Sequence, residues 1–193
     1  MDTLLLGMAG FALYLVYDLN SFTLRNRLLH GGFALGTLLI AAATAMDIVR
    51  SVRAGSTEHW PLLIPAALSF GTLIYCLFFA LPFEETYTGP EEVRHAYTGG
   101  AYALCRHPGI LCFFATYLFL GLALRPGPLL VHGMVFSLLN LLYAWFQDRV
   151  TFPKMFDDYG DYRGKAPFLI PNSASIRRAR ATWPGRSRRE VRP

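Results

Sequence analysis

Apolar residues in this chain run in long blocks instead of alternating or recurring every third or fourth position. The blocks cover residues 3–17, 31–49, 61–83, 108–124 and 128–146. Most approach the ~20 residues needed to cross ~30 Å of hydrocarbon, and the first is the shortest. A buried hairpin in a soluble core could mimic one or two such blocks. Five of them in 193 residues leave too little polar sequence to cover them. The pattern predicts an all-α integral membrane protein: a bundle of about five transmembrane helices followed by a cytoplasmic C-terminal amphipathic segment. Residues 1–172 are expected to form one transmembrane domain, with 173–193 a basic, disordered tail. The hydrophobic share of 53% agrees with this class.

Charge adds an orientation. Beyond Trp145 come Arg149, Lys154, Arg163, Lys165, Arg177, Arg178, Arg180, Arg186, Arg188, Arg189 and Arg192, so the positive-inside rule predicts a cytoplasmic C-terminus and, with an odd span count, an external N-terminus. The short loops discriminate little, with Arg25, Arg27, Arg94 and Arg106 on one side and Arg50, Arg53 and Arg125 on the other. The net charge of +5 is therefore a property of the tail. Such a segment suits anionic lipid, which attracts basic residues by ~1 kcal/mol each near the surface, and gives no reason to expect nucleic acid. The first block lacks a basic flank and a cleavage site, which predicts a retained span. Cys76, Cys105 and Cys112 lie in or beside apolar blocks without metal-site or disulfide spacing and read as small apolar residues; no metal is expected. The residue usage fits a prokaryotic inner membrane, and no oligomeric state follows from it.

Polar chemistry is sparse in the first half. Asp47 and Arg50 are predicted to form an interfacial ion pair, while Tyr14, Tyr17 and Trp60 sit where aromatic belts are expected. After the third block Glu84, Glu85, Glu91 and Glu92 surround Gly89-Pro90, a pattern for a turn into a short helix ending at Gly99-Gly100. Residues 100–108 then read Gly-Ala-Tyr-Ala-Leu-Cys-Arg-His-Pro. Pro108 suits the first position of the fourth apolar helix, which puts His107 at the cap and Arg106 at the helix mouth. Ionisable groups at membrane depth are costly and by default candidates for function. Two readings stay open: Arg106 snorkelling to headgroups beside a capping His107, or a binding site for an anion at the helix N-terminus. Past the fifth block, Gln147-Asp148-Arg149 leads to Pro153, which should kink or restart the helix. Asp148, Phe152, Met155, Tyr159 and Tyr162 recur at helical spacing and are expected to share a face until Gly164 and Pro167 stop the helix.

These residues resemble the integral-membrane methyltransferases typified by isoprenylcysteine carboxyl methyltransferase and phosphatidylethanolamine N-methyltransferase. Gly100, Tyr102, Arg106, His107 and Pro108 match a G-x-Y-x-x-x-R-H-P motif. Gln147-Asp148, Tyr159, Tyr162, Pro167, Ile170 and Pro171 echo a carboxylate pair followed by Tyr-x-x-Tyr and Pro-x-x-[IL]-Pro, so the likeness covers residues 99–171. The resemblance implies S-adenosylmethionine as methyl donor and an acceptor with an apolar tail that arrives from the bilayer. It implies Gly100, Tyr102, His107, Pro108, Asp148, Tyr159 and Tyr162 as cofactor-binding residues, with Arg106, His107 and Asp148 as the catalytic set. Its closest activity is methylation of a carboxylate on an isoprenylcysteine-like or other lipophilic small molecule. The chain departs from the family at Ile110, where Tyr is common, at Gln147, where Glu is common, and at Phe156-Asp157, where Phe-Gly is usual. A phospholipid amine acceptor and a non-catalytic membrane scaffold of the same shape therefore stay open beside the carboxylate reading.

Overall fold

The computed structural model describes residues 2–23, 26–55, 59–80, 95–124 and 127–183. Helices α1 (Thr3–Phe22) and α2 (Gly32–Arg53) come first, the second entered through a short 3-10 turn, Arg27–Gly31. Asp2 caps α1 by accepting from the Leu4 N–H at 3.0 Å, and Asn26 does the same for Leu28 at 2.9 Å. Helix α3 (Leu63–Ile74) runs on as a wider π turn, Tyr75–Phe79. The one-turn α4 (Ala101–Leu104) precedes α5 (Pro108–Ala123). Helix α6 (Pro128–Phe146) passes through a π turn, Gln147–Thr151, into α7 (Phe152–Met155). Two short helices, α8 (Tyr159–Lys165) and α9 (Ser173–Thr182), complete the described chain.

Among the described residues there is no strand, and four helical stretches are long and apolar enough to cross a membrane: Thr3–Phe22, Arg27–Arg53, Trp60–Phe79 and Pro128–Met155. The expected block 108–124 forms α5, a 16-residue apolar helix. At 1.5 Å per residue it is about 24 Å long, shorter than the hydrocarbon core.

Two expected boundaries move for physical reasons. The first block was expected to end at residue 17, before Asp18 and Asn20, yet α1 continues to Phe22 because both polar side chains are buried against partners. The last block continues past residue 146 to Met155. Its π turn lies just before Pro153, where the ring would press on the carbonyl four residues back, and the wider turn relieves that clash. The chain after residue 172, expected as a tail, begins with α9, which carries a reciprocal capping box between Asn172 and Ser175. Glu84, Glu85, Glu91 and Glu92, with the turn expected at Gly89-Pro90, lie outside the described residues.

The chain divides into two compact units, Met1–Phe70 with Phe113–Thr151 and Gly71–Cys112 with Phe152–Pro193. In the first, α1 and α2 cross where Gly10 meets Gly36. A Cβ at Gly36 would stand 2.6 Å from the Gly10 carbonyl oxygen, and one at Gly10 would stand 2.7 Å from that of Gly36. Small residues permit such backbone approach, which is how membrane helices gain packing energy without a hydrophobic driving force between them. Phe11, Ile40, Ala43, Tyr117 and Phe136 fill the core beside this crossing.

That unit also buries two polar clusters. The Asp47–Arg50 pair is present at 3.4 Å, but Asp47 is deeply buried and has nearer partners. His132 Nδ1 lies 2.7 Å from Asp47 Oδ2, and Thr3 Oγ1 donates to Asp47 Oδ1 at 2.7 Å. In the second cluster Thr151 Oγ1 donates to Asp18 Oδ2 at 3.2 Å, and the Asp18 carboxylate also bonds the side chains of Gln147 and Tyr143. Asp47 is thus tied to two other helices and Asp18 to one, the stretch Pro128–Met155, since leaving a buried carboxylate unpartnered would cost several kcal/mol.

The glycine crossing is testable. Gly36→Val should lower the stability of the detergent-solubilised protein by about 1–3 kcal/mol, the usual cost of overpacking. Loss of helical ellipticity on heating would show it as a lower midpoint, and an unchanged midpoint would mean that the two helices separate without cost.

Candidate functional site

The second unit brings most of the motif residues together. Gly100 has φ +55°, a left-handed conformation that side chains rarely adopt, and its N–H donates to Thr182 Oγ1 at 3.1 Å. The turn it makes leads into α4 and then into extended backbone at Cys105 (φ −158°, ψ 162°). Proline disfavours helical backbone in the residue before it, which keeps residues 105–107 out of helix up to Pro108, where α5 starts as expected. The cap at that start is the His107 carbonyl, which accepts from the Ile110 N–H at 3.2 Å.

This segment bonds to the Pro-containing stretch after α8. The Arg106 N–H donates to the Pro167 carbonyl at 2.9 Å and the His107 N–H to that of Phe168 at 3.3 Å. The Arg106 guanidinium closes the same junction from above. Its Nη1 donates to the Arg163 carbonyl at 3.1 Å and to the Ala166 carbonyl at 2.6 Å, two acceptors at the C-terminal end of α8. A cation on the orphan carbonyls of a helix end is favourable both as hydrogen bonding and as a dipole interaction. The guanidinium carbon also lies 5.7 Å from the centre of the Phe168 ring.

Aromatic rings surround the junction. The buried His107 ring stacks on Phe152, with centroids 5.9 Å apart, and meets Phe168 edge-on at 4.9 Å. Tyr159 packs edge-on against Phe152 at 5.4 Å and against Tyr162 at 5.8 Å. Tyr162 donates its hydroxyl to the Tyr102 carbonyl at 2.8 Å, and Tyr102 donates its own to the Cys76 carbonyl at 2.9 Å. Burial pushes the Tyr162 hydroxyl well above the usual phenol range. Burial likewise pushes the Cys105 thiol up to about 11, against the partly offsetting His107 N–H. The thiols of Cys76 and Cys112 are hydrogen-bonded to each other, a contact that their reading as small apolar residues did not foresee.

Gly100, Tyr102, Arg106, His107, Pro108, Tyr159 and Tyr162 therefore all belong to one unit, with the two motif segments bonded directly. Asp148 does not belong to it. It is buried in the π turn of the first unit, so the stripe expected from Asp148 to Tyr162 is not one continuous helical face. The chain leaves the helix at Phe156 and restarts at Tyr159. Sequence reasoning missed Phe168, Thr182 and Asp158, the last accepting from the Ala96 N–H at 2.7 Å and lying 3.3 Å from His95 Nδ1. Only the position of Phe168 beside Pro167 could have drawn attention to it. Among the described residues no group of three or more His, Cys, Asp or Glu side chains is placed to hold a metal ion.

No family model, curated protein or solved structure matches the chain.

Two outcomes follow from this geometry. Arg106→Ala should cost about 2–3 kcal/mol, the scale of a charge-assisted bond to buried carbonyls, while Arg106→Lys should restore part of it; unfolding of the solubilised protein by denaturant measures both. Cys105 is buried and its thiol is pushed up to about 11, so alkylation at pH 8 should be at least about tenfold slower in the folded protein than in denaturant. Mass spectrometry of the Cys105 peptide reads both rates, and equal rates would contradict the burial.

Proposed function

We propose that the protein transfers a methyl group from S-adenosylmethionine to a membrane-partitioned acceptor, with a carboxylate of an isoprenylcysteine-like or other lipophilic small molecule as the acceptor group. The observation that carries the reading is the direct bonding of residues 106–107 to residues 167–168, which joins the two motif segments inside a set of aromatic rings. In this proposal the C-terminal end of the chain is cytoplasmic and the membrane is a prokaryotic inner membrane.

The residues fit such a donor in kind. Tyr102, His107, Phe152, Tyr159 and Phe168 offer flat faces for a purine and electron-rich faces for a sulfonium. The N-terminus of the 16-residue α5 favours a carboxylate. When bound, the donor supplies an electrophilic methyl group on sulfur, and the protein's share is to orient the reactants and exclude water. Arg106 acts here as a positioning residue that holds the α8 end against the His107 segment. A carboxylate acceptor is already ionised at neutral pH and needs no base. A phospholipid amine would need one, and His107 is the candidate to take that proton. Asp148 keeps its part on the sequence motif alone, as a carboxylate suited to the donor's ammonium.

One observation favours a second reading, a non-catalytic membrane scaffold. The Arg106 guanidinium and the Tyr102 and Tyr162 hydroxyls all bond backbone carbonyls, as purely structural groups would. Calorimetric titration of S-adenosylmethionine into the detergent-solubilised chain separates the two. The enzyme reading expects binding that weakens at least tenfold in His107→Ala with helicity retained, followed by transfer of labelled methyl to a base-labile lipid-soluble product. Folded protein that binds no donor would establish the scaffold in its place.

A further inference from the structure

The second unit presents a basic helix whose two faces differ sharply. On α9, Ser175, Ala179 and Thr182 follow each other at three- and four-residue spacing and face inward: the first two are buried, and Thr182 receives the Gly100 N–H. Arg178 fastens the same side through a hydrogen bond to the Lys165 carbonyl. The opposite face carries Arg177 and Arg180, both exposed, flanked by Ile176 and, just past the helix end, Trp183. No acidic residue lies on α9. Guanidinium groups beside solvent-facing Ile and Trp make a poor surface for water alone and a good one for a membrane interface, where phosphate lies above hydrocarbon.

A second contact sets this face beside a candidate span. Trp183 stacks on Tyr75, with centroids 6.5 Å apart and planes 21° from parallel. Tyr75 belongs to the last turn of the stretch Trp60–Phe79, one of the four long apolar helices. The end of α9 therefore sits beside the end of a candidate span, where the hydrocarbon gives way to headgroups, and Trp is the residue most at home in that layer.

We propose that α9 is an interfacial helix that binds anionic phospholipid headgroups, with Arg177 and Arg180 as the phosphate-binding groups and Ile176 and Trp183 seated at the headgroup–acyl boundary. Through Thr182 it holds the Gly100 turn from which the Arg106-His107 segment starts, so the lipid surface steadies one edge of the candidate site. The inference does not depend on methyl transfer.

The test uses the full chain with Trp60→Phe and Trp145→Phe, leaving Trp183 as its one tryptophan. It is reconstituted in nanodiscs of phosphatidylcholine with a minor fraction of phosphatidylglycerol, and either lipid is brominated at equal mole fraction. Brominated phosphatidylglycerol should quench Trp183 several-fold more per molecule, and raised salt should shrink the difference. Removing each guanidinium, in Arg177→Gln and Arg180→Gln singly and together, should reduce the preference roughly fivefold per residue, whereas the double Lys variant should keep it. Helical ellipticity confirms that each variant is folded, and the single variants serve if the double one is not. Equal quenching by the two lipids, no quenching by either, or a preference lost only when the arginines after residue 183 are replaced would overturn the proposal. No methyl donor or acceptor is present, so a failure here leaves the proposed activity untouched.

Discussion

The arrangement of the second unit rests on one junction, where residues 106–107 satisfy the carbonyls of residues 163–168. Prolines prepare both sides of it. Pro108 disfavours helix in the residue before it, and Pro167 does the same to Ala166, whose backbone is extended at φ −105° and ψ 131°. Two non-helical pieces are thereby brought side by side, and two successive N–H groups of one donate to two successive carbonyls of the other. The α8 helix stops at the same point with free carbonyls, and the Arg106 guanidinium bonds two of them. Each carbonyl left buried and unbonded would cost about 1–3 kcal/mol, so the backbone, more than the aromatic packing, determines which segments meet. Phe168 then comes to rest against both Arg106 and His107 as a consequence.

The first unit solves a related problem with side chains. Its helices can approach closely at Gly10 and Gly36, but apolar contact does not by itself choose a register between two apolar helices. Buried carboxylates do choose one. Asp47 joins α2 to the start of α1 through Thr3 and to α6 through His132, and Asp18 joins α1 to the π turn through Thr151. The two clusters involve opposite ends of α1, Thr3 and Asp18, so sliding that helix by one turn would strand at least one charge. Gln147 gains a role from this arrangement: it is an amide bonding a carboxylate, where a second carboxylate would repel the first.

Much of this was legible in the sequence, and the limits fall where partners are far apart. Apolar block length located the four long helices, and Pro108 located the start of α5, because both are local properties. The Asp47–Arg50 pair was visible for the same reason, being three residues apart on one helix. His132 was not, since it is a single polar residue inside an apolar block and its partner Asp47 is 85 positions away. Asp18 looked like the end of a span for lack of any sign of Thr151, 133 positions on. Most of the candidate site was marked by motif residues, but helical spacing put Asp148 on one face with Tyr159 and Tyr162, whereas a π turn and a break at Phe156 divide them. The side-chain commitments of Arg106 were beyond reach altogether, because a cation at a helix mouth looks the same whether it meets a ligand or a carbonyl.

That commitment bears on what kind of chemistry the cluster could support. A reaction that depends on a mobile acid or nucleophile would be poorly served by an arginine bonded to two carbonyls and by tyrosines bonded to the main chain. Displacement at a methyl group asks for something different, since the electrophile arrives with the donor and the rate depends on alignment and on exclusion of water. Side chains held by backbone bonds lose little freedom when a ligand arrives, so less binding energy is spent on ordering them. His107 occupies a different position from the others: its ring is held by Phe152 and Phe168 packing, while its N–H and carbonyl make the backbone bonds. The distinction between enzyme and scaffold is therefore tested at His107, whose ring packs against both Phe152 and Phe168, more than at Arg106, whose guanidinium bonds the end of α8.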